Sequence, residues 1–185
     1  KEFVNIIKAN TDDLLRLVTD VLTLSELDQY DKLPTDIRTD INIVCQMSIE
    51  AAGVQERDTV AFHFRPEREN LIILSNPERI SQLLTNLIHN AIKFTDHGSI
   101  ELAYSVLEAE KKLEISITDT GIGIPKEKQE AVFERFFKMN SFSQGTGLGL
   151  SICRTIAEKS GGSLRIDPFY TDGCRMVLTL PLIYA

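Results

Sequence analysis

The sequence predicts a mixed α/β protein: a two-layer α/β (α+β) sandwich with a mostly antiparallel mixed sheet, helices on one face, and a long helix in front. Three observations support this fold class. Short runs of alternating apolar residues are interspersed with longer runs of helical periodicity. Two of the short runs meet at a charged turn, as paired antiparallel strands do. The first 29 residues carry an apolar repeat of their own. Packing helices on one side of a sheet buries the apolar faces of both.

The composition is that of a globular protein and excludes several classes of function. Of the 185 residues, 43% are hydrophobic and 25% are charged. A net charge of −7 without a long basic run argues against nucleic acid as a partner. Cys45, Cys153 and Cys174 lack the spacing of a zinc site or a disulfide framework, which favours a reduced, cytoplasmic setting.

The start of the chain and its hydropathy concern the parent protein. The chain begins with Lys1 instead of Met, carries no signal peptide, and has no apolar run near the ~20 residues of a bilayer span. We therefore expect a cytoplasmic fragment of a longer protein, with any anchor in the inner membrane lying outside these residues.

Residues 1–29 are predicted to form one long helix. Apolar residues recur at spacings of three and four, as in a helical bundle: Phe3, Ile7, Leu14, Leu17, Val21 and Leu24. A second row widens this stripe: Val4, Leu15, Val18 and Leu22. Asn10 lies in the seam, where a polar residue can fix the register. The stripe needs a partner, either in the chain's own domain or, as we favour, in a dimeric bundle.

The rest of the chain is predicted to be a linker, residues 30–36, followed by one domain, residues 37–185. Residues 40–53 predict a helix that ends at Gly53. A second helix covers residues 77–94, with Asn76 as its N-cap and Pro77 in its first turn. A third begins near Leu148 and is stopped by Gly161 and Gly162. Alternation predicts strands over residues 59–66, 70–75, 99–109, 112–119, 163–169 and 174–182.

Two glycine-rich loops carry the first functional signal: DTGIGI (119–124) and GTGLGL (145–150). Neither is a P-loop, and neither fits the dinucleotide fingerprint, which requires a strand, three spaced glycines and a helix. In the second loop, Gly145, Gly147 and Gly149 can direct successive N–H groups at one anion. The helix that follows adds its positive end. The second loop is therefore a predicted phosphate site.

Asp119 carries the signal of the first loop. On the strand 112–119 the apolar residues share one face, and strict alternation puts Asp119 on that face too. A carboxylate on an apolar face needs a partner. It either caps the following turn or accepts a hydrogen bond from a ligand amine such as that of adenine. In the second case, Gly121 and Gly123 let the backbone approach the base.

The helix 77–94 supplies a polar row. Asn86, Asn90 and Lys93 lie on one side of it, at spacings of four and three. Two amides and an ammonium group offer oxygen ligands for a metal and charge for a phosphate, whereas the alternative is a solvated polar face. The segment between the loops, residues 125–144, is rich in charge and phenylalanine. It predicts a flexible lid, a small packed helix, or both.

Taken in order, these segments resemble the ATP-binding domain of two-component sensor histidine kinases, within the gyrase/Hsp90/histidine-kinase/MutL superfamily. NLIHNAIKFT is similar to the N box, DTGIGI to the G1 box, VFERFF to the F box and GTGLGL to the G2 box. The resemblance covers residues 37–183 and implies a Bergerat-type ATP-binding fold. Residues 1–29 resemble the second helix of the dimerisation and phosphotransfer hairpin that precedes this domain in the family.

The resemblance also implies roles for individual residues around ATP and Mg²⁺. It assigns Asn90 to the metal and Asp119 to the adenine amine, and it places Phe94 beside the base and Phe133 with Phe137 in the lid. The implied catalytic residues are Asn86, Asn90 and Lys93. The implied nucleotide-binding residues are Asn86, Asn90, Lys93, Phe94, Asp119, Gly121, Gly123, Ile124, Phe137, Gly145, Thr146, Gly147, Leu148 and Gly149.

Asn86 discriminates within this superfamily. Hydrolytic members carry a glutamate at the matching position, where it acts as the general base for water. An amide cannot take that proton, so Asn86 favours a site that keeps the γ-phosphoryl group for a protein nucleophile. In the family this nucleophile is a histidine on the first hairpin helix, in the same or the partner subunit of a homodimer. The phosphoryl group then passes to the receiver domain of a response regulator.

No histidine of this chain fits the family's phosphoacceptor motif, in which His precedes an acidic residue, a basic residue and Pro. His63 lies in a predicted strand, His89 in the N box and His97 in a turn. We expect His89 to be a packing or hydrogen-bonding residue beside the nucleotide. Two alternatives remain: an ATPase or protein-serine kinase of the same superfamily, and a binding module that has lost its nucleotide.

Overall fold

A computed structural model describes residues 2–54, 59–139 and 145–185, excepting the side chains of residues 2–6, 8, 9 and 12. The α-helices are α1 Glu2–Asp28, α2 Ile41–Ala51, α3 Pro77–Phe94 and α4 Gly149–Lys159. The strands are β1 Ile37–Asp40, β2 Val60–Arg65, β3 Ile72–Ser75, β4 Gly98–Leu107, β5 Lys112–Asp119, β6 Ser163–Ile166 and β7 Cys174–Pro181. Short 3-10 helices cover Glu108–Glu110, Lys126–Lys128 and Ala131–Phe133.

The main sheet has five strands in the order β2-β4-β5-β7-β6. β2 and β4 run parallel, and the other neighbours pair antiparallel. Side chains alternate strictly along β5, from buried Leu113 to buried Asp119. The buried face packs on helices, and the other face, with residues such as Glu101, Glu114 and Arg175, is polar. The predicted sandwich with a mostly antiparallel sheet and helices on one face is confirmed.

Helix α3 forms the middle of the helical layer because its apolar residues occupy one face. Its buried residues are Ile80, Leu83, Leu84, Leu87, Ile88 and Ala91, as the periodicity predicts. Its start is also as predicted: the Asn76 Oδ1 accepts a hydrogen bond from the Arg79 N–H at 3.1 Å, and Pro77 is the first helical residue. The polar row of Asn86, Asn90 and Lys93 lies outside this buried face.

Strand β1 was missed by the sequence patterns. Its four residues, IRTD, show no apolar alternation, and Ile37 is exposed. The strand exists because it pairs antiparallel with β3 in a separate two-stranded sheet. Asp40, the last residue of β1, is also the N-cap of α2, so a strand and a helix meet at one residue. A pairing this short depends on its partner, which local pattern does not reveal.

Helix α1 packs on its own domain near its end, whereas most of its apolar stripe is exposed. Near its end, Leu24 and Leu27 are buried against the domain, and Glu26 pairs with Arg79 at 2.5 Å. Farther back the apolar stripe is exposed: Ile7, Leu14, Leu15, Val18, Val21 and Leu22. The side chains of Phe3 and Val4 lie outside the described residues. None of the helices in the described ranges is long and apolar enough to cross a bilayer.

Residues 30–36 follow α1 without regular structure. Leu33 is buried, and its N–H donates a hydrogen bond to the Lys159 carbonyl oxygen at 2.8 Å. The segment therefore joins the end of α1 to the end of α4. The boundaries at residues 29 and 37 stay a prediction.

Candidate functional site

A cavity of about 530 Å³ opens between α3, the end of β5, the loop before α4, and α1. This volume is typical of a small-molecule site. All but two of the predicted nucleotide-binding residues line it: Asn86, Asn90, Lys93, Phe94, Asp119, Gly123, Ile124, Phe137, Gly145, Thr146, Gly147 and Gly149. Of the remaining two, Gly121 packs against the Phe94 carbonyl group, and the Leu148 side chain is fully buried in the core.

The Asp119 end of the cavity, formed by Asp119 and its neighbours on β5 and β7, contains a buried carboxylate. Asp119 is 7% exposed. Its Oδ1 accepts hydrogen bonds from the N–H groups of Gly121 at 2.9 Å and Cys174 at 3.3 Å. The other oxygen, Oδ2, accepts no hydrogen bond from the residues that the structure describes. One oxygen thus caps the turn, as one interpretation held, and the other can accept from a ligand.

Burial raises the pKa of the Asp119 carboxyl, and the hydrogen bonds from Gly121 and Cys174 lower it in part. An anionic carboxylate in an apolar wall is a strong acceptor for an N–H donor. This end of the cavity is therefore suited to a flat apolar group that carries an amine.

Backbone packs directly against backbone around Asp119. A Cβ on Gly121 would lie 2.2 Å from the Phe94 carbonyl oxygen, and one on Gly173 would lie 2.0 Å from the Asp119 carbonyl oxygen. Gly123 has a φ of +68°, a conformation that other residues rarely adopt. The sequence analysis did not single out Gly173. The pairing of β5 with β7 would have identified it, because Asp119 lies opposite Cys174, the residue that follows Gly173.

The Lys93 end of the cavity, formed by the polar row of α3, the loop 145–148 and α1, is cationic. Asn86, Asn90 and Lys93 all line the cavity, as the ligand-binding interpretation requires. The Lys93 Nζ lies 4.9 Å from the centroid of the Phe94 ring, a cation–π contact. Partial burial lowers the pKa of Lys93, and the charges of Arg16 and Lys138 lower it further.

The loop 145–148 is held from two sides. The Thr146 hydroxyl donates to Asp20 Oδ2 at 2.5 Å and accepts from the Leu148 N–H at 3.2 Å. The Phe136 N–H donates to the Gly147 carbonyl oxygen at 2.9 Å. Helix α4 then begins at Gly149, and no side chain of the described residues caps it. Its first N–H groups are therefore available to an anion, as the glycine pattern predicted.

The sequence analysis missed two residues that α1 contributes to the cavity, Arg16 and Asp20. Asp13, Arg16 and Asp20 follow one another at spacings of three and four, so they share one helix face. That charged row beside the apolar stripe was the available signal. Cys174 and Met176 of β7 also line the cavity, as alternation along β7 would allow.

The segment predicted as a lid is partly packed. Val132 and Phe133 are buried in the core, and the Arg154 guanidinium lies 4.7 Å from the centroid of the Phe133 ring. Phe137 lines the cavity. Phe133 is therefore a core residue, and Phe137 alone of the two reaches the site. Residues 140–144 of the predicted lid lie outside the described residues.

The three histidines occupy different surroundings. His63 and His97 are exposed and do not line the cavity. His89 lines the cavity. Partial burial lowers the pKa of His89, and the charge of Arg16 adds to this. His89 therefore lines the candidate site, and its expected role beside a nucleotide stays a prediction.

A divalent metal at this site would have few protein ligands. Among the described residues, no three His, Cys, Asp or Glu side chains form a group that could hold a metal ion. The cavity does offer the amide oxygens of Asn86 and Asn90. Mg²⁺ is commonly held by one or two protein oxygens together with substrate phosphates, so the donor set fits Mg²⁺ bound with a nucleotide.

Comparison with known proteins gives the family. Residues 75–183 match the family described as histidine kinase-, DNA gyrase B-, and HSP90-like ATPase. The chain is 32% identical to the sensor histidine kinase GacS of Pseudomonas protegens over 193 residues, which cover 98% of this chain and 21% of GacS. It is 33% identical to the sensor histidine kinase WalK of Bacillus subtilis over 186 residues, covering 97% of this chain and 30% of WalK.

Solved structures agree with the sequence relatives. The chain resembles the crystal structure of full-length ShkA in complex with AMPPNP, with a TM-score of 0.84 and 25% identity, over 100% of this chain and 39% of that one. It spans between 21% and 30% of the length of the two curated relatives. The resemblance indicated by the four boxes is confirmed. The chain belongs to the histidine kinase-, DNA gyrase B- and HSP90-like ATPase family, and the relatives that it matches over nearly its whole length are sensor histidine kinases.

Proposed function

We propose that this chain is the ATP-binding catalytic region of a sensor histidine kinase, which transfers the γ-phosphoryl group of ATP to a histidine on the first helix of a dimerisation hairpin. The observation that carries this proposal is one cavity with two chemically different ends. The Asp119 end offers a buried acceptor in an apolar wall. The Lys93 end offers cations, amides and an uncapped helix start. A nucleoside triphosphate has the same polarity, with a flat base at one end and anions at the other.

In this arrangement the base lies at the Asp119 end. Asp119 Oδ2 accepts a hydrogen bond from the adenine amine, and Phe94 and Ile124 provide apolar surface. Gly123 keeps the wall free of a side chain next to the base. Phe137, from the segment that the sequence predicts as a lid, contributes further apolar surface. Adenine is favoured over guanine because only adenine presents an amine at this position to a carboxylate acceptor.

The phosphates lie at the Lys93 end. Lys93 supplies charge, and the N–H groups at the start of α4 and along the loop 145–148 supply donors. Asn90, with Asn86 beside it, would hold Mg²⁺ through an amide oxygen. When bound, Mg²⁺ neutralises charge on the phosphates. Asn86 packs so closely on α4 that a Cβ on Gly149 would lie 2.7 Å from its Nδ2, which fixes the amide beside the phosphate loop.

The chemistry is transfer to a protein nucleophile. An imidazole nitrogen attacks the γ-phosphorus, a P–N bond forms, the bond to the ADP oxygen breaks, and the imidazole N–H proton is released. Asn86 cannot act as a general base, so this chain's residues do not activate water at that position. Their contribution is to position and to stabilise charge, which dominates phosphoryl transfer. The phosphoryl group then passes to a receiver domain of a response regulator.

The exposed stripe of α1 supports a homodimer in the parent protein. Its apolar residues, from Ile7 to Leu22, are exposed over several turns, whereas Leu24 and Leu27 are buried in this chain's own domain. An apolar helix face of this length normally packs against other helices. We infer that residues 1–29 are the second helix of the hairpin and that the first helix and a second copy cover the stripe.

The test is calorimetry with a non-hydrolysable ATP analogue, with and without Mg²⁺. We expect binding that Mg²⁺ strengthens and that Asn90→Ala and Asp119→Ala each weaken at least tenfold, an energy of about 1.4 kcal/mol. His97→Ala, at an exposed residue outside the cavity, is the control and should bind like the unchanged chain. Failure of both cavity variants to alter binding would reject the proposal. Steady-state phosphate release without a histidine substrate would instead favour an ATPase.

A further inference from the structure

Arg16 is the one guanidinium group that lines the cavity among the described residues, and it comes from α1, not from the domain that carries the boxes. It shares the Lys93 end with Asn86, Asn90 and Lys93. The function proposed above does not use it.

Helix α1 is anchored at the phosphate loop one turn after Arg16. Asp20 accepts the hydrogen bond from Thr146 at 2.5 Å, and Thr146 in turn accepts from the Leu148 N–H. Farther along, Leu24 and Leu27 are buried. Residues four apart lie above one another on a helix, so the contact at Asp20 directs Arg16 along the same face toward the cavity. Its place there follows from the packing of the part of α1 that comes after it.

The charges at this end favour an anionic partner. Arg16, Lys93 and Lys138 interact unfavourably with one another, because Arg16 and Lys138 both lower the pKa of Lys93. Arg16 also lowers the pKa of His89. Of the nearby carboxylates, Asp13 raises the pKa of Lys93 in part, and Asp20 accepts from Thr146. Arg16 forms no ion pair with the described carboxylates. A terminal phosphate would relieve this repulsion, and a guanidinium group can hold two of its oxygens at once.

We propose that Arg16 contacts the terminal phosphate of the bound nucleoside triphosphate, so that α1 completes the Lys93 end and distinguishes a triphosphate from a diphosphate. This inference rests on the proposed function and deepens it. The base, the first two phosphates and the metal are held by the domain of residues 37–185, whereas the reacting phosphate is also held by the helix that enters the hairpin. ATP, unlike ADP, therefore ties α1 to the catalytic domain.

The experiment measures the affinities of a non-hydrolysable ATP analogue and of ADP, both with Mg²⁺, for the chain of residues 1–185. Arg16→Gln should weaken the triphosphate about tenfold, as expected for one exposed charge-assisted contact, and ADP less than twofold. Arg16→Lys keeps the charge but not the fork of donors, so its loss should be intermediate. Arg65→Gln, on an exposed strand residue outside the cavity, should change neither affinity.

The outcomes separate this inference from the proposed function. If the unchanged chain binds both nucleotides and Arg16→Gln alters neither affinity, or alters both equally, Arg16 does not contact the terminal phosphate and the proposed function stands. If the unchanged chain binds no nucleotide, both are rejected. Retained ADP binding by Arg16→Gln demonstrates that the variant is folded.

Discussion

The two ends of the cavity are built in different ways. The Asp119 end lies in one continuous sheet, where Asp119 pairs with Cys174 in register and neighbouring backbones leave no room for a side chain at Gly121 or Gly173. The Lys93 end is assembled from α3, the loop before α4, and α1, which meet through single side-chain contacts such as Asp20 with Thr146. One end is therefore fixed by the sheet, and the other depends on how a separate helix is placed.

The two ends therefore differ in how far their geometry depends on the position of α1. A displacement of α1 would change Arg16 and Asp20 at the Lys93 end, but it would leave the hydrogen bonds of Asp119 unchanged, because none of them involves α1. Under the proposed function, nucleotide identity is read by the Asp119 end and the reactive phosphate is held at the Lys93 end. A site of this design can keep its nucleotide while its stalk changes position.

The largest expected effect tests the rigid end. Asp119→Asn keeps an oxygen for the N–H groups of Gly121 and Cys174, but it places an NH₂ group where, in the proposed arrangement, Oδ2 faces the adenine amine. We expect ATP affinity to fall about 100-fold, or roughly 2.7 kcal/mol, because two donors then face each other. Calorimetry with ATP and inosine triphosphate checks this.

Inosine triphosphate is the informative control, because it presents an oxygen in place of the amine. The variant should bind it better than ATP, which reverses the preference of the unchanged chain. Equal losses for both nucleotides would mean that Asp119 supports the fold and does not read the base.

The next effect concerns stability. At the Asp119 end, Gly121→Ala brings a methyl group against the Phe94 carbonyl oxygen and should lower the free energy of unfolding by about 2 kcal/mol. At the Lys93 end, a Cβ on Gly145 meets, among the described residues, only the Lys93 Nζ, at 3.6 Å. Gly145→Ala should cost about 1 kcal/mol, from its φ of +119° alone. Denaturant unfolding measures both.

Gly53→Ala calibrates the backbone term in that comparison. Gly53 has a φ of +63° and nothing within 4 Å of its Cβ position. If Gly121→Ala costs no more than Gly53→Ala, the packing around Asp119 is not as tight as the structure describes.

The same contrast decides how much the sequence could predict. Asp119 was predicted on the buried face because alternation is a local property of one strand, and the cap of α3 was predicted because Asn76, Pro77 and Glu78 are adjacent. The five strands of the main sheet were predicted from local alternation, but their order and the separate pairing of β3 with β1 were not. The glycine loops were placed at opposite ends by what flanks each of them. Each of these features depends on residues that are close in sequence.

What the sequence did not predict depends on contacts between distant segments. Arg16 and Asp20 enter the site only because α1 folds back on the loop before α4, and no local pattern specifies that docking. Strand β1 exists through pairing with β3. Phe133 was expected in a lid and is buried, because the phenylalanines of one charged segment look alike until packing distinguishes them. Non-local packing overrides local preference in each case.

A smaller effect tests the adjustable end. Thr146→Val keeps the shape of the side chain but removes the hydrogen bonds with Asp20 and Leu148, so the free energy of unfolding should fall by about 1 kcal/mol. ATP affinity should fall with it, because the contact positions α1. The control is Thr19→Val on α1. Its hydroxyl is exposed and donates a hydrogen bond to the Leu15 carbonyl oxygen of the same helix. A control that loses as much as Thr146→Val would contradict the role of the Asp20 contact.

The smallest effect is a pH dependence at the rigid end. Burial holds the pKa of Asp119 above its ordinary value, so the folded state takes up this proton more readily than the unfolded state. The associated stability is present below the unfolded pKa and is lost as pH rises through the folded pKa. In the absence of nucleotide, Asp119→Asn should therefore gain stability relative to the unchanged chain as pH rises through that interval. The gain should be small, because the hydrogen bonds from Gly121 and Cys174 offset part of the desolvation. Thermal unfolding at a series of pH values measures it. A difference between the two proteins that does not change with pH would show that the carboxyl titrates normally and that the wall around it is wetter than its burial indicates.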